Sequence, residues 1–236
     1  MKGVILAGGE GTRLRPFTYA ANKNTALVYD KPLIWFPIRT LIRAGIEDII
    51  IDTDCPEQIG AVISGEKFDA NVSIHNRGQP MGQVSALEMM GDLIQGQYLL
   101  VMYGDVYLAS PIQRPVENNT CSIYVTGRFD TKRISEYGVI ELGPNGQILS
   151  IEEKPANPRG RHINAGVITF PPDLFDMISK MSKRDQSILV DLAAEYHGLG
   201  RLAGMEYHGK LLNGGTPEDL FLAATERRRE VLNQSA

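Results

Sequence analysis

Two unbroken apolar runs, Val4-Ile5-Leu6-Ala7 and Tyr98-Leu99-Leu100-Val101-Met102-Tyr103, constrain this chain more than any other feature. Each stops at glycine, Gly8-Gly9 after the first and Gly104 after the second. A strand without alternation must be covered on both faces, the pattern of parallel strands in a layered α/β sheet. The sequence between the two runs agrees. Leu33 to Ala44 repeats apolar residues at helical spacing and stops at Gly45, Ile46 to Asp52 reads as a β-branched strand, and Pro56 to Ile63 as a helix. Asn71 to His75 follows as a strand, and Gly82 to Ile94 as a helix with Val84, Leu87, Met90 and Leu93 on one face. Strands alternating with helices predict crossover connections, and hence a Rossmann-like α/β fold with a mostly parallel central sheet flanked by helices. Ligands of such sheets lie beyond the carboxyl ends of the strands, where both the glycine loop and Asp105 fall.

The later sequence changes rhythm. Ala109 to Thr120, with Pro111 and Pro115 in a polar stretch, reads as a loop or a ragged short helix, and Ser122 to Thr126 resumes as strand. Gly138 to Leu142 and Gln147 to Ile151 flank Pro144-Asn145-Gly146, a hairpin signal. Asn164 to Phe170 and Leu202 to Tyr207 are further strands, with helices over Pro171 to Met181, Ser187 to Tyr196 and Thr216 to Arg229. No linker or repeat interrupts residues 1–236, so a single domain is expected.

A net charge of −4 argues against a nucleic-acid groove, which needs an excess of Lys and Arg. Arg227-Arg228-Arg229, between Glu226 and Glu230, reads as a solvated helix face. The two cysteines, Cys55 and Cys121, form no CxxC pair, and no apolar run approaches the ~20 residues that span a bilayer. The N-terminal MKGVILAGG lacks the apolar core and cleavage site of a signal peptide. A cytoplasmic protein is expected, with neither nucleic acid nor membrane as a partner.

The glycine loop carries the chemistry. Gly8, Gly9 and Gly11 let backbone N–H groups approach an anion, and Arg13 adds a forked donor set suited to phosphate. A Walker loop would need Lys directly after its last glycine, and a dinucleotide fingerprint would need a glycine where Leu14 stands. GGEGTRLRP, extended by Lys23 and by Asp30-Lys31-Pro32, instead resembles the signature of sugar-1-phosphate nucleotidylyltransferases. VYDKPLIWFPIRTLIRAGIEDIII looks closest to the glucose-1-phosphate thymidylyltransferases among them. The resemblance runs from Met1 to about Leu220.

That resemblance implies an enzyme that condenses a nucleoside triphosphate, dTTP favoured, with a hexose 1-phosphate to give a nucleoside-diphosphate sugar and pyrophosphate. The nucleophile is then the substrate's own phosphate oxygen, and Mg2+ is the implied cofactor. Arg13 would grip the β,γ-phosphates and Lys23 the α-phosphate, while Asp105, at the end of a buried strand, would hold the metal. Nucleotide contacts are implied for Leu6, Ala7, Gly8, Gly9, Gly11 and Thr12. Gln79 and Gly82 lie in a segment that resembles the base-reading one, where a glutamine amide matches the imide edge of thymine or uracil. A WLDTGT segment of the family is matched by Leu211-Leu212-Asn213-Gly214-Gly215-Thr216, so Asn213 stands as second metal ligand in place of an acid. Tyr137-Gly138-Val139, Glu152-Glu153-Lys154-Pro155 and Asn164-Ala165-Gly166 resemble the sugar-binding motifs. Strand alternation puts Glu152 and Lys154 on one face, so these two are expected on the sugar with Tyr137, Gly138 and Asn164. Residues about 1–110 would form a nucleotide-binding half, and about 120–220 a sugar-binding half built on the inserted hairpin. A uridylyltransferase and a non-catalytic nucleotide-sugar-binding or regulatory homologue stay open as alternatives, as do the sugar's identity and a homo-oligomer.

Overall fold

The computed structural model describes residues 1–127, 129, 131–181 and 187–234. From the N-terminus, β1 (Lys2–Leu6) leads through the glycine loop to a two-residue ladder of β2 (Leu27–Val28) and β3 (Lys31–Pro32). Then come α1 (Trp35–Arg43), β4 (Asp48–Thr53), α2 (Pro56–Ile63), β5 (Asn71–Asn76), α3 (Gln83–Met89), α4 (Gly91–Ile94) and β6 (Leu99–Tyr103). β1 pairs in parallel with β4 and with β6, and β4 pairs in parallel with β5, so Val4 lies between Ile50 and Val101.

The unbroken apolar runs follow from two covered faces. Val4 and Leu6 join Ile50, Leu99 and Val101 against Leu87 of α3. Ile5 points the other way, joining Ile49, Ile51, Leu100 and Met102 beneath Ile38 and Leu41 of α1 and Ile59 of α2. Burying one such side chain contributes roughly 1.5–3 kcal/mol. The helix expected over Gly82 to Ile94 is broken at Met90, which is fully buried, and at Gly91, which packs against Phe175.

The chain continues through β7 (Val106–Leu108), β8 (Cys121–Thr126), β9 (Gly138–Leu142), β10 (Ile148–Glu153), β11 (His162–Phe170), α5 (Leu174–Lys180), α6 (Ala193–Gly198), β12 (Leu202–Glu206), β13 (Leu211–Asn213) and α7 (Pro217–Gln234). The large sheet runs β10-β9-β11-β6-β1-β4-β5, with β8 beside β11 and β12 beside β8. It is thus an α/β fold with a large central sheet, parallel from β6 to β5, antiparallel where β11 meets β6, β8 and β9, and parallel again between β8 and β12, with the expected β9–β10 hairpin at its edge.

β11 is the seam. Its last residues, Val167 to Phe170, pair with β6, whereas His162 and Ile163 pair with β9. Gly166 makes that change of partner possible. It has φ +76°, and a Cβ there would stand 2.6 Å from Val106 Cγ2. Asn164 Oδ1 accepts the Gly166 N–H at 2.9 Å and fixes the bend.

Arg228 and Arg229 are exposed, as a solvated basic face requires, but Arg227 departs from it. It is 9% exposed and donates both Nε and Nη2 to the Asp30 carboxylate, at 2.7 and 2.9 Å, tying α7 to the β2–β3 turn. Its partner stands far away in sequence, which charge patterning along a helix cannot reveal. Among the described residues, no helix is long and apolar enough to cross a membrane.

Candidate active site

The site begins where β1 ends. Ala7 N–H donates to the Asp52 carbonyl on β4, and the Ala7 carbonyl accepts from Asn24 Nδ2 at 2.9 Å and from Asn22 Nδ2 and Thr53 Oγ1 at 3.2 Å. Three buried side chains therefore fasten the base of the glycine loop. Asn22 Oδ1 also accepts the Asn24 N–H and caps the turn that carries Lys23. Loop and lysine are built as one unit.

Asp105 follows β6 by one glycine, and the Gly104 N–H donates to the Leu6 carbonyl at 2.9 Å. Lys23 Nζ donates to Asp105 Oδ2 at 2.6 Å, with each side chain about one-fifth exposed, 21% and 20% respectively. Burial pushes the Asp105 carboxyl up, but the Lys23 ammonium, aided by Arg13, more than offsets it and holds the group below its ordinary value. Asn213 arrives from the other end of the chain. β13 pairs with β7 so that Asn213 lies opposite Val106, and the Gly214 N–H donates to the Asp105 carbonyl at 2.8 Å.

These groups share a cavity of about 330 Å³. Arg13, Lys23, Asp105 and Asn213 line it together with Tyr137, Gly138, Glu153, Lys154 and Asn164. A second cavity, about 260 Å³, is lined by Leu6, Gly8, Gly9, Arg77 and Met81 and has Lys23, Gln83 and Tyr103 in common with the first. The two adjoin across those three side chains.

Not every residue singled out from the sequence borders this space. Ala7 acts through its carbonyl beneath the loop, while Gly11, exposed Thr12 and Gly82 line neither cavity. Gln79 is exposed and lines neither cavity. The reason is a turn: Asn76 Oδ1 accepts the Gly78 N–H at 2.9 Å and Gly78 takes φ +75°, so the chain swings outward after Arg77. Arg77, two residues earlier, faces the cavity instead.

Glu152 also lies off this space. Its carboxylate accepts from Arg159 Nε at 2.9 Å and from the Arg159 N–H at 3.0 Å, away from the cavity, and Glu153 lines the cavity in its stead. Alternation fails because β10 ends at Glu153 and Lys154 adopts φ +45°, which turns both Glu153 and Lys154 inward.

Sequence reasoning also passed over Gln83, whose Oε1 accepts from Tyr103 Oη at 3.3 Å and from the Ile188 N–H at 3.0 Å. It likewise passed over Arg133, which donates to Asp219 Oδ1 at 2.6 Å and to Glu136 and so joins the rim of the cavity to α7. Burial, with Glu153 and Asp105 nearby, pushes the Tyr103 phenol up and keeps it a hydrogen donor.

The oxygen donors suit a hard cation. Asp105 offers a carboxylate, and Asn213 donates Nδ2 to Tyr137 Oη at 3.4 Å, which leaves its carbonyl oxygen for a metal. The glycine loop, the Arg13 and Lys23 cations and the Asp105 and Asn213 oxygens thus meet around two adjoining cavities.

Comparison with known proteins agrees. The nucleotidyl transferase family model matches residues 2–226. The glucose-1-phosphate thymidylyltransferase of Mycobacterium tuberculosis (strain H37Rv) is 32% identical over 213 residues, spanning 86% of this chain and 73% of its own. That of Neisseria meningitidis is 31% identical over 242 residues, 95% of this chain and 82% of its own. A Bacillus anthracis protein assigned as a glucose-1-phosphate thymidylyltransferase, solved with a sucrose, superposes with a TM-score of 0.84 at 27% identity, covering 95% of this chain and 94% of that one. A UDP-glucose pyrophosphorylase of Acinetobacter baumanii shares the fold at a TM-score of 0.78 and 19% identity, over 99% of both chains. The chain belongs to the nucleotidyl transferase family, within its sugar-1-phosphate nucleotidylyltransferases.

Proposed function

We propose that the protein condenses a nucleoside triphosphate with a hexose 1-phosphate, releasing pyrophosphate and a nucleoside-diphosphate sugar. The observation that carries this reading is the meeting of Lys23, Asp105 and Asn213 with Glu153 and Lys154 around one cavity that adjoins the glycine loop. An oxygen of the sugar phosphate attacks the α-phosphorus, and the bond from that phosphorus to the bridging oxygen breaks as pyrophosphate leaves. Lys23 neutralises the charge that accumulates on the α-phosphate, Arg13 receives the departing pyrophosphate, and Lys154 holds the sugar phosphate. Glu153, Tyr137, the Gly138 backbone and Asn164 take the sugar hydroxyls. A Mg2+ held by Asp105 and Asn213 oxygens would supply further charge neutralisation between the two anions.

Residues about 1–110 thus act on the nucleotide and residues about 120–220 on the sugar. dTTP is the favoured donor on the strength of the thymidylyltransferases among the relatives. UTP is the alternative, because thymine and uracil present the same imide edge.

Purified protein with Mg2+, each of the four nucleoside triphosphates and a panel of hexose 1-phosphates should release pyrophosphate only when both substrates are present. Nucleotide binding without release from any pair would contradict the proposal and favour a non-catalytic binding homologue.

A further inference from the structure

Arg77 follows β5 and is only 5% exposed, yet it borders the nucleotide-side cavity beside Gly8 and Gly9. Its charge is matched inside the protein. Nη2 donates to the carboxylate of Asp52 and to the Asp52 carbonyl, and Asp52, wholly buried at the end of β4, is held in turn by His75 Nδ1 at 2.8 Å. The rest of the guanidinium is uncommitted. Nε is buried without a partner, and among the described residues Nη1 has no acceptor. Nη1 presses on the loop itself, since a Cβ on Gly8 would stand 2.4 Å from it.

We propose that Arg77 reads the nucleobase, donating an Nη1 hydrogen to an exocyclic carbonyl oxygen of the bound nucleotide, with Asp52 and His75 as its positioning residues. The proposal deepens the nucleotidylyl-transfer reading and rests on it. Two features favour a base over a phosphate. Lys23 also borders this cavity but packs against Gly11, and Arg13 lines only the first cavity, whereas Arg77 lies at Gly8 with the apolar Leu6 and Met81, which suit a ring. The buried Asp52 carboxylate also cancels the arginine's charge, so what remains is a directed donor suited to a neutral carbonyl. Thymine and uracil offer such oxygens. Adenine offers none, and an adenine amino group facing Nη1 would set donor against donor.

The test is equilibrium binding of dTTP, UTP, ATP and inorganic pyrophosphate by calorimetry, without sugar phosphate, so that no turnover intervenes. The wild-type protein should bind dTTP and UTP about tenfold or more tighter than ATP, the scale of one hydrogen bond to a charged group. In Arg77→Met that ratio should fall to within about twofold, through loss of the pyrimidine nucleotides, while pyrophosphate affinity holds. Arg77→Met leaves Asp52 buried without its cation, so Asp52→Asn/Arg77→Met is measured beside it, with thermal unfolding as the check on folding.

A wild-type protein that binds ATP as tightly as dTTP, or a ratio preserved in the variants, would overturn the assignment. Equal losses for all three nucleotides and for pyrophosphate would also overturn it and make Arg77 a phosphate ligand. Binding that is blind to the base removes only the role of Arg77. A wild-type protein that binds no nucleotide removes the transferase reading with it.

Discussion

The glycine loop and the β9–β10 hairpin approach the same space by opposite means. At the loop the backbone does the work: Gly8 and Gly9 bring no side chain, and Asn22, Asn24 and Thr53 hold the Ala7 carbonyl from behind. At the hairpin the side chains do the work, and a backbone irregularity, the positive φ of Lys154, aims them. β1 and β6, whose ends carry the loop and Asp105, have neighbours on both sides, whereas the hairpin lies at the sheet's edge and its aim depends on local turns. A substitution in the first region should therefore act through charge or closure of the loop, and one in the second through the register of a single residue.

The largest effect is expected where the two regions meet. Asp105→Asn should lower kcat by about 10²–10³, on the scale of other preorganised charges at phosphoryl centres, and should change the melting temperature little. Steady-state kinetics and thermal unfolding read the two separately. Near-wild-type turnover would erase the proposed metal role and with it the meeting point of the comparison.

Next in size is the register of the hairpin. Glu153→Gln should raise KM for the hexose 1-phosphate about tenfold, whereas Glu152→Gln, whose carboxylate is occupied by Arg159, should leave it within about twofold. The reverse order of effects would restore strict alternation and remove the significance of Lys154's backbone.

Gln83 probes the link between the regions. Gln83→Leu strands the Ile188 N–H and the Tyr103 hydroxyl, so about 1–3 kcal/mol of stability should be lost, and the KM values for both substrates should rise together. A change in only one KM would assign Gln83 to one cavity.

The smallest effect lies away from the site, at Asp30. The hydrogen bond from Arg227 holds the Asp30 carboxyl below its ordinary value of 3.8. A depressed carboxylate stabilises the fold above its unfolded pKa, and that contribution is lost as pH falls through the folded value. Asp30→Asn should accordingly cost a few degrees of melting temperature at pH 7, about 2–4 °C per kcal/mol for a chain of this size, and nothing once the pH is well below that range. A difference that persists at low pH would mean that packing, not charge, joins α7 to the β2–β3 turn.

What was legible in the sequence follows the same division. The ends of β1 and β6 could be located because runs covered on both faces must stop where glycine admits solvent, and that put the loop and Asp105 side by side. The hairpin was visible from Pro144-Asn145-Gly146, with Gly146 at φ +75°. Gln79 could not be placed, because an Asn76–Gly78 turn diverts the chain, although Asn-x-Gly is a signal that could have warned of it. Glu152 was preferred over Glu153 because alternation assumes a strand that continues, and β10 does not. Arg227 was read as solvated because only the folded chain brings Asp30 to it. Errors of this kind arise where one backbone torsion or one distant partner decides which way a side chain faces.

The account's central claim is that the loop and the hairpin serve one continuous site, and a crystal structure with dTDP-glucose and Mg2+ tests it most directly. The predicted result is a base over Gly8 and Gly9, a diphosphate beside Arg13 and Lys23, and a hexose against Glu153 and Lys154. A nucleotide seated in the loop with its hexose turned away from the β9–β10 hairpin, or product bound outside these cavities altogether, would contradict it.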